Sequence, residues 1–472
     1  MIILRGPYVN QPRSRGLAKF RPLPLLAALA AVPAWSQTAP PPAAAASATE
    51  ATEKNSRSEA QQLQTVAITA NRRKELAKDV AGAVSVLGGA RLDELGATGV
   101  ADMAAYVPGL VVSGTRTGAQ QIAIRGITTG IDQTNSTVGM YIDESPVSFN
   151  SSYSGGSTLT VDPDPLDIER VEVLKGPQGS LYGASALGGL VKYVMVSPDL
   201  TSFNGRAEIG INKVSGGGAG NAVRAAINVP LVTNLLAVRA SAYRREEAGY
   251  LDNVASGKTD INKLNVSGGT ISVLLKPSAA FNARLTADTQ TITGQDNSTP
   301  QADVLTLKPA YGSLLNVGWQ LPINPSRSEQ NRANLALNYD AGFATLLSST
   351  SYFRGKSDTA VDLTPTSGSL AALFGANTVN FPITLDNKKA TQELRLTSPG
   401  GRSLDWLVGA FYTEEKVAGF NGMDFLVGPA GGPFTTVVPG VVTFYYGARL
   451  KESSLYANAT YKVSDPVDIQ FG

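Results

Sequence analysis

The chain has 472 residues, 43% hydrophobic and 17% charged, and its 40 Lys and Arg nearly balance 38 Asp and Glu. A net charge of +2 gives no general electrostatic reason to expect nucleic acid as a partner. With no cysteine and no histidine, disulfides, thiolate metal sites, Ser/His/Asp triads and histidine zinc helices are all excluded, and a carboxylate pair is the one acid/base system the composition leaves plentiful.

In chain order, Arg5, Arg13, Arg15, Lys19 and Arg21 precede the apolar run Leu23–Val32 and the small-x-small stretch Ala34-Trp-Ser36. This is the pattern of an export signal over residues 1–36. The apolar run is too short to span a bilayer, and no later run reaches the roughly 18 residues a membrane helix needs. Residues 37–63, rich in Ala, Pro, Ser, Thr and Glu, offer nothing for a core and read as a disordered linker. Residues 64–73 then hold a β-prone hexad ahead of the basic pair Arg72-Arg73, which could equally be the first strand of the next domain.

Residues 74–198 read as a mixed domain of short strands and helix. Strands are expected at 83–87, 121–125, 138–142 and 170–174, and a helical pattern at 89–106 ends at Pro108-Gly109. So many polar loops leave a thin core, which implies support from surrounding protein. The glycines of "IERVEVLKGPQGSLYG" (168–183) invite a phosphate-loop reading. No Lys follows them in P-loop register, GxGxxG is absent and Ser185 has no histidine to serve it. Positive-φ turns and close packing are what these glycines can provide.

After Pro198 the period changes to two. Val223, Ala225, Ile227 and Val229 alternate with Arg224 and Asn228, and the pattern recurs at 236–243, 281–288, 332–339, 404–412 and 455–462. Arginines recur on one face, and Tyr243, Tyr339, Tyr352, Phe353 and Tyr412 mark strand ends. Alternating strands joined by short turns and long polar loops are the signature of a transmembrane β-barrel, the closed form in which strands can cross lipid. A soluble sandwich or solenoid is the alternative.

Several ordered motifs together resemble the TonB-dependent outer-membrane receptors. "DMAAYVPGLVVSG" (102–114), "IAIRGI" (122–127), "YIDESPV" (141–147) and "IERVEVLKGPQGSLYGASALGGLV" (168–191) are similar to that family's plug, and "TQELRLTSPGG" (391–401) with "LDWLVGAFY" (404–412) to its barrel strands. Thr65, Val66, Ala67, Ile68, Thr69 and Ala70 resemble the TonB box. The resemblance implies an α+β plug domain followed by an antiparallel transmembrane β-barrel of about 22 strands, no enzyme and no cofactor. It implies a monomer in the outer membrane that takes up a scarce nutrient, a ferric siderophore first. Cobalamin or oligosaccharides are alternative cargoes. The expected partners are the TonB energy-coupling protein, which would add the box as a strand, and outer-membrane lipid. Arg125 and Arg170 match plug positions that pair with barrel glutamates in the family, and Glu393 is the expected partner; solvated strand charges facing a wet lumen are the plainer reading.

Residues 199–472 suffice for about half of such a barrel, so the expectation is an incomplete barrel in a fragment of a longer product, or a degenerate copy. A passive porin, a non-functional receptor fragment and a secreted carboxylate hydrolase are the competing functional readings. Ligand surfaces are expected in long loops such as 145–163 and 294–326.

Overall fold

The computed structural model describes residues 67–69, 72–73, 75–77, 80, 82–116, 118–129, 136–155, 159–294, 299–303, 305–321, 326–464 and 467–472. The expected export signal and linker lie outside these residues, as do Thr65, Val66 and Ala70. Among the described residues no helix is long and apolar enough to cross a membrane, which says nothing of strands.

The first part of the chain is a small α+β domain. A hairpin of β1 (Ala67–Ile68) and β2 (Glu75–Leu76) leads into β3 (Ala83–Gly88), α1 (Gly89–Glu94) and α2 (Val100–Ala104). The single helix expected over 89–106 is two, because the chain turns through Gly96 at positive φ and Gly99 is extended. Next come the hairpin β4 (Leu110–Arg116) and β5 (Ala119–Ile124), then β6 (Val138–Ile142), β7 (Ser145–Pro146), β8 (Ile168–Lys175), α3 (Gly179–Tyr182) and β9 (Gly189–Met195). One sheet of order β3-β8-β9-β6-β7 carries the domain, with β6 and β9 parallel. The glycines after β8 work as conformers: Gly176 and Gly183 have positive φ, and a Cβ on Gly189 would collide with the Leu174 carbonyl.

Leu92, Met140, Phe149, Val173 and Tyr193 fill the core of this domain. Phe353, which belongs to the second part of the chain, joins them, its ring 5.4 Å from that of Phe149. The thin core is therefore completed by the neighbouring wall.

That wall is a meander. It runs through β10 (Asn204–Lys213), β11 (Ala219–Val232), β12 (Leu236–Glu247), β13 (Asp252–Asn253), β14 (Leu264–Leu275), β15 (Phe281–Gly294), β16 (Asn316–Val317) and β17 (Ser326–Asp340). It continues with β18 (Thr345–Asp362), α4 (Thr364–Ala372), β19 (Thr378–Thr397), β20 (Leu404–Val427), β21 (Thr435–Ser464) and β22 (Val467–Phe471). Eleven of these strands form one antiparallel sheet in sequence order, open at β10 and β22, while β13 and β16 pair separately. Turns at one end are short, as at 232–236, 275–281 and 340–345; at the other end long loops join β12 to β14 and β15 to β17, and β20 and β21 project with 24 and 30 residues. A span needs only about 10, so those two strands extend past the bilayer.

Alternation assigns the faces as expected. Asn228 is buried toward the plug, whereas Val223 and Ile227 are exposed on the outer face. Of the aromatics expected at strand ends, Tyr243, Tyr352, Phe353 and Tyr412 fall within β12, β18 and β20, and Tyr243 and Phe353 turn inward. Both face the plug, Tyr243 lying against Gly268 of the neighbouring strand, where a Cβ would collide with its ring.

Candidate functional site

The charged residues of the plug base meet the sheet around Glu144 and Glu393. Glu144 follows β6; Arg72 reaches it at 3.0 Å, Lys192 of β9 at 3.1 Å and Arg395 of β19 at 3.0 Å. Glu393, buried on β19, takes Arg395 at 2.9 Å and Arg72 at 3.5 Å, and the Tyr456 hydroxyl of β21 donates to it. Three cations thus face two carboxylates. Burial alone would push the Glu144 carboxyl up, but Lys192, Arg395 and Arg72 hold it well below the usual range.

Arg72 is placed by its backbone and by two rings. It sits at φ 61°, with its guanidinium 4.1 Å from the Tyr182 ring centroid and 5.0 Å from that of Tyr141, and its Nε donates to the Leu181 carbonyl at 3.3 Å. Tyr456 reaches Glu393 because Gly409 lies beneath its ring. Next in sequence, Arg73 donates to Ser398 at 3.2 Å and to the Trp406 carbonyl, fixing the segment to the short turn between β19 and β20.

Immediately before Arg72, the described part of the expected box is docked. Ile68 is fully buried against Tyr141, Leu174, Leu181, Leu190 and Leu407. The Thr69 amide and hydroxyl donate to the Glu172 carboxylate at 3.0–3.2 Å, and Tyr182 donates to the Thr69 carbonyl at 3.2 Å. Glu172, itself buried, also takes the Arg170 Nε at 2.8 Å.

Further groups of polar contacts tie plug to sheet. Asp167 takes the Arg239 Nε at 2.6 Å and the Ser241 hydroxyl at 3.0 Å, Asp164 lies 3.3 Å from Arg224, and Arg245 lies 3.7 and 3.6 Å from Asp162 and Asp164. Higher up, Glu415 takes the Asn150 and Ser151 amides at 2.9–3.1 Å and Lys389 at 3.0 Å. The 145–163 segment expected to be an external ligand loop is thus partly consumed in packing against the wall.

The expected pairs are not formed. Arg125 is exposed at φ 53° and has no ion pair among the described residues; Arg170 pairs within its own strand with Glu169 and Glu172. Glu393 does meet a plug arginine, but it is Arg72. A charge standing beside its neighbours on one strand satisfies them first, whereas Arg72 leaves its turn toward the wall. Sequence reasoning missed Arg72, Glu144, Lys192, Arg395 and the Asp162–Asp167 loop; the basic pair after the hexad was the available signal.

A family model described as "TonB-dependent Receptor Plug Domain" matches residues 77–190. Residues 77–190 are thus a plug domain of the TonB-dependent receptor type. The chain is 27% identical to the pesticin receptor of Yersinia pestis over 227 residues, 47% of this chain and 31% of that protein. It is 31% identical to the vitamin B12 transporter of Vibrio vulnificus over 135 residues, 28% of this chain and 21% of that protein. The aligned region therefore spans less than a third of these curated relatives. Among solved structures, the ferric yersiniabactin uptake receptor of Yersinia pestis shares the fold with a TM-score of 0.63 at 17% identity, over 81% of this chain and 62% of that one. The ferripyoverdine receptor of Pseudomonas aeruginosa does so with a TM-score of 0.66 at 18% identity, over 86% and 53%. The ferripyoverdine receptor is an outer-membrane protein, and in barrels of that membrane the short turns lie on the periplasmic side. The named relatives are a receptor and a transporter.

Proposed function

We propose that this chain serves TonB-dependent uptake of a scarce nutrient across the outer membrane, with a ferric siderophore as the first candidate cargo. The observation that carries the reading is the docked strand Ala67–Thr69 at the periplasmic end of the plug. Among the described residues it pairs with two residues of β2 and is held by Ile68, by Glu172 and by the Tyr182 hydroxyl. A two-residue pairing can be exchanged for a strand of the energy-coupling protein, since β-augmentation supplies equivalent backbone bonds. The siderophore assignment is supported by the ferric yersiniabactin uptake receptor and the ferripyoverdine receptor, which share this fold.

The lack of any native cysteine makes the test direct. With Ala67→Cys as the sole thiol of the chain, a cysteine in the coupling protein should capture it as a disulfide in living cells, more strongly when ferric siderophore is supplied. No capture, with or without siderophore, would sink the reading.

A further inference from the structure

The outer face of the sheet carries a feature that uptake does not use. Residues alternating with the plug-facing Gly355, Asn387, Glu415 and Ala448 point away from the plug, and on β18 to β21 one register row of them is entirely cationic. Arg354 stands opposite Lys388, Lys388 opposite Lys416, and Lys416 opposite Arg449. Like charges directly opposite each other destabilise a sheet, yet four adjacent strands repeat the choice. Lys356 and Lys451 flank the row on the same face.

Three carboxylates stand among these six cations, Asp386, Glu414 and Glu329, the last opposite Lys356 and taken by Arg327 at 2.6 Å. Asp386 takes Arg354 in a bidentate pair at 2.9 and 2.7 Å and lies 4.0 Å from Lys388; Glu414 takes Lys416 at 3.1 Å and Arg449 at 2.9 Å. The acids therefore organise the row without neutralising it. Lys388, Lys416 and Arg449 keep side-chain exposures of 44%, 59% and 56%, so their remaining donors face outward.

The position of the row identifies its partner. Immediately on the short-turn side, Tyr352 and Tyr412 sit on the same outer face, followed by Leu394, Val408 and Leu455, all exposed there. Such an aromatic and apolar band contacts lipid chains, and the row stands just above it, on the long-loop and therefore external side. We propose that this row binds the phosphorylated headgroup of an outer-leaflet glycolipid whose acyl chains lie along the band below. Several phosphates on one headgroup match several cations about one strand spacing, roughly 5 Å, apart, and arginine and lysine together suit phosphate.

The test uses the full chain in phosphocholine nanodiscs containing a small fraction of a bis-phosphorylated, multiply acylated glucosamine disaccharide. Retained glycolipid is counted by native mass spectrometry after detergent release. Retention should fall at least tenfold in Lys388→Gln/Lys416→Gln/Arg449→Gln and for the same glycolipid stripped of its phosphates. It should stay unchanged in Lys276→Gln, at the opposite end of the sheet, and in 10 mM inorganic phosphate. Arg449→Gln alone, the least disruptive change, should give a partial loss if the triple variant does not fold. Equal retention of the dephosphorylated lipid, equal retention by both variants, or displacement by inorganic phosphate would overturn the assignment, the last by showing a site for free anion.

Discussion

Arg72 touches Glu144, Glu393 and two tyrosine rings at once, so removing it alters more than one pair. Stripping a buried carboxylate of its partner costs about 3–5 kcal/mol; with Arg395 and Lys192 still in place, Arg72→Ala should cost about 3 kcal/mol, read from the urea midpoint of the folded chain in detergent. Arg72→Lys should recover part of this, since it restores the charge but not the planar stacking on Tyr182. Asp162 offers a pH test. Burial pushes its carboxyl up to about 7, outweighing Arg245 and the Val100 amide, with Glu247 and Asp102 adding to the rise. The folded chain therefore keeps a proton there over a pH range where the unfolded chain, with an ordinary value of 3.8, has released it. Its contribution to stability is largest below about pH 4 and is lost as pH rises to about 7, a change of at most about 4 kcal/mol. Asp162→Asn cannot ionise and should flatten the difference between urea midpoints measured at pH 5 and pH 8.

At the scale of elements, the glycine and tyrosine pairs between strands join the wall to the site. Gly409 under Tyr456, Gly419 under Tyr446 and Gly268 under Tyr243 each leave room that a Cβ would close. Gly409→Val should lift the Tyr456 ring and break its bond to Glu393, costing about 1–3 kcal/mol and making the Tyr456 fluorescence environment wetter; an unchanged midpoint and spectrum would refute the coupling. These pairs also explain which strands were legible. Strands β11, β12, β15 and β17 alternate cleanly between apolar and polar residues and stood out. Strand β14 passes through Gly268-Gly269, and β18 places Ser349, Ser351, Gly355 and Ser357 toward the plug, so their periodicity is muted. The helix α4 had no turn signal beyond Pro365 and was not anticipated. The plug and barrel architecture was legible because motifs recur in order, whereas the Arg72 cluster joins residues up to about three hundred positions apart, which no local pattern encodes.

For the whole molecule, polar contacts hold plug against wall in several places, among them Glu144 and Glu393, Asp162 to Asp167, Glu415, and the ion pair of Arg284 with Asp143. Charged contacts of this kind release in steps when their partners shift, which a fully apolar seam would not do as readily. The docked strand Ala67–Thr69 lies beside the first group and shares Tyr182 with Arg72. A disturbance of that group thus reaches the strand through one side chain. We propose that this strand couples the chain to cellular energy. Accumulation of labelled ferric siderophore by cells bearing the intact chain or the chain lacking residues 65–70, with and without a protonophore, tests it most directly. Energised accumulation should vanish on deletion, to the level seen with the protonophore, while surface binding at 0 °C stays the same. Undiminished energised accumulation by the deleted chain would contradict the account.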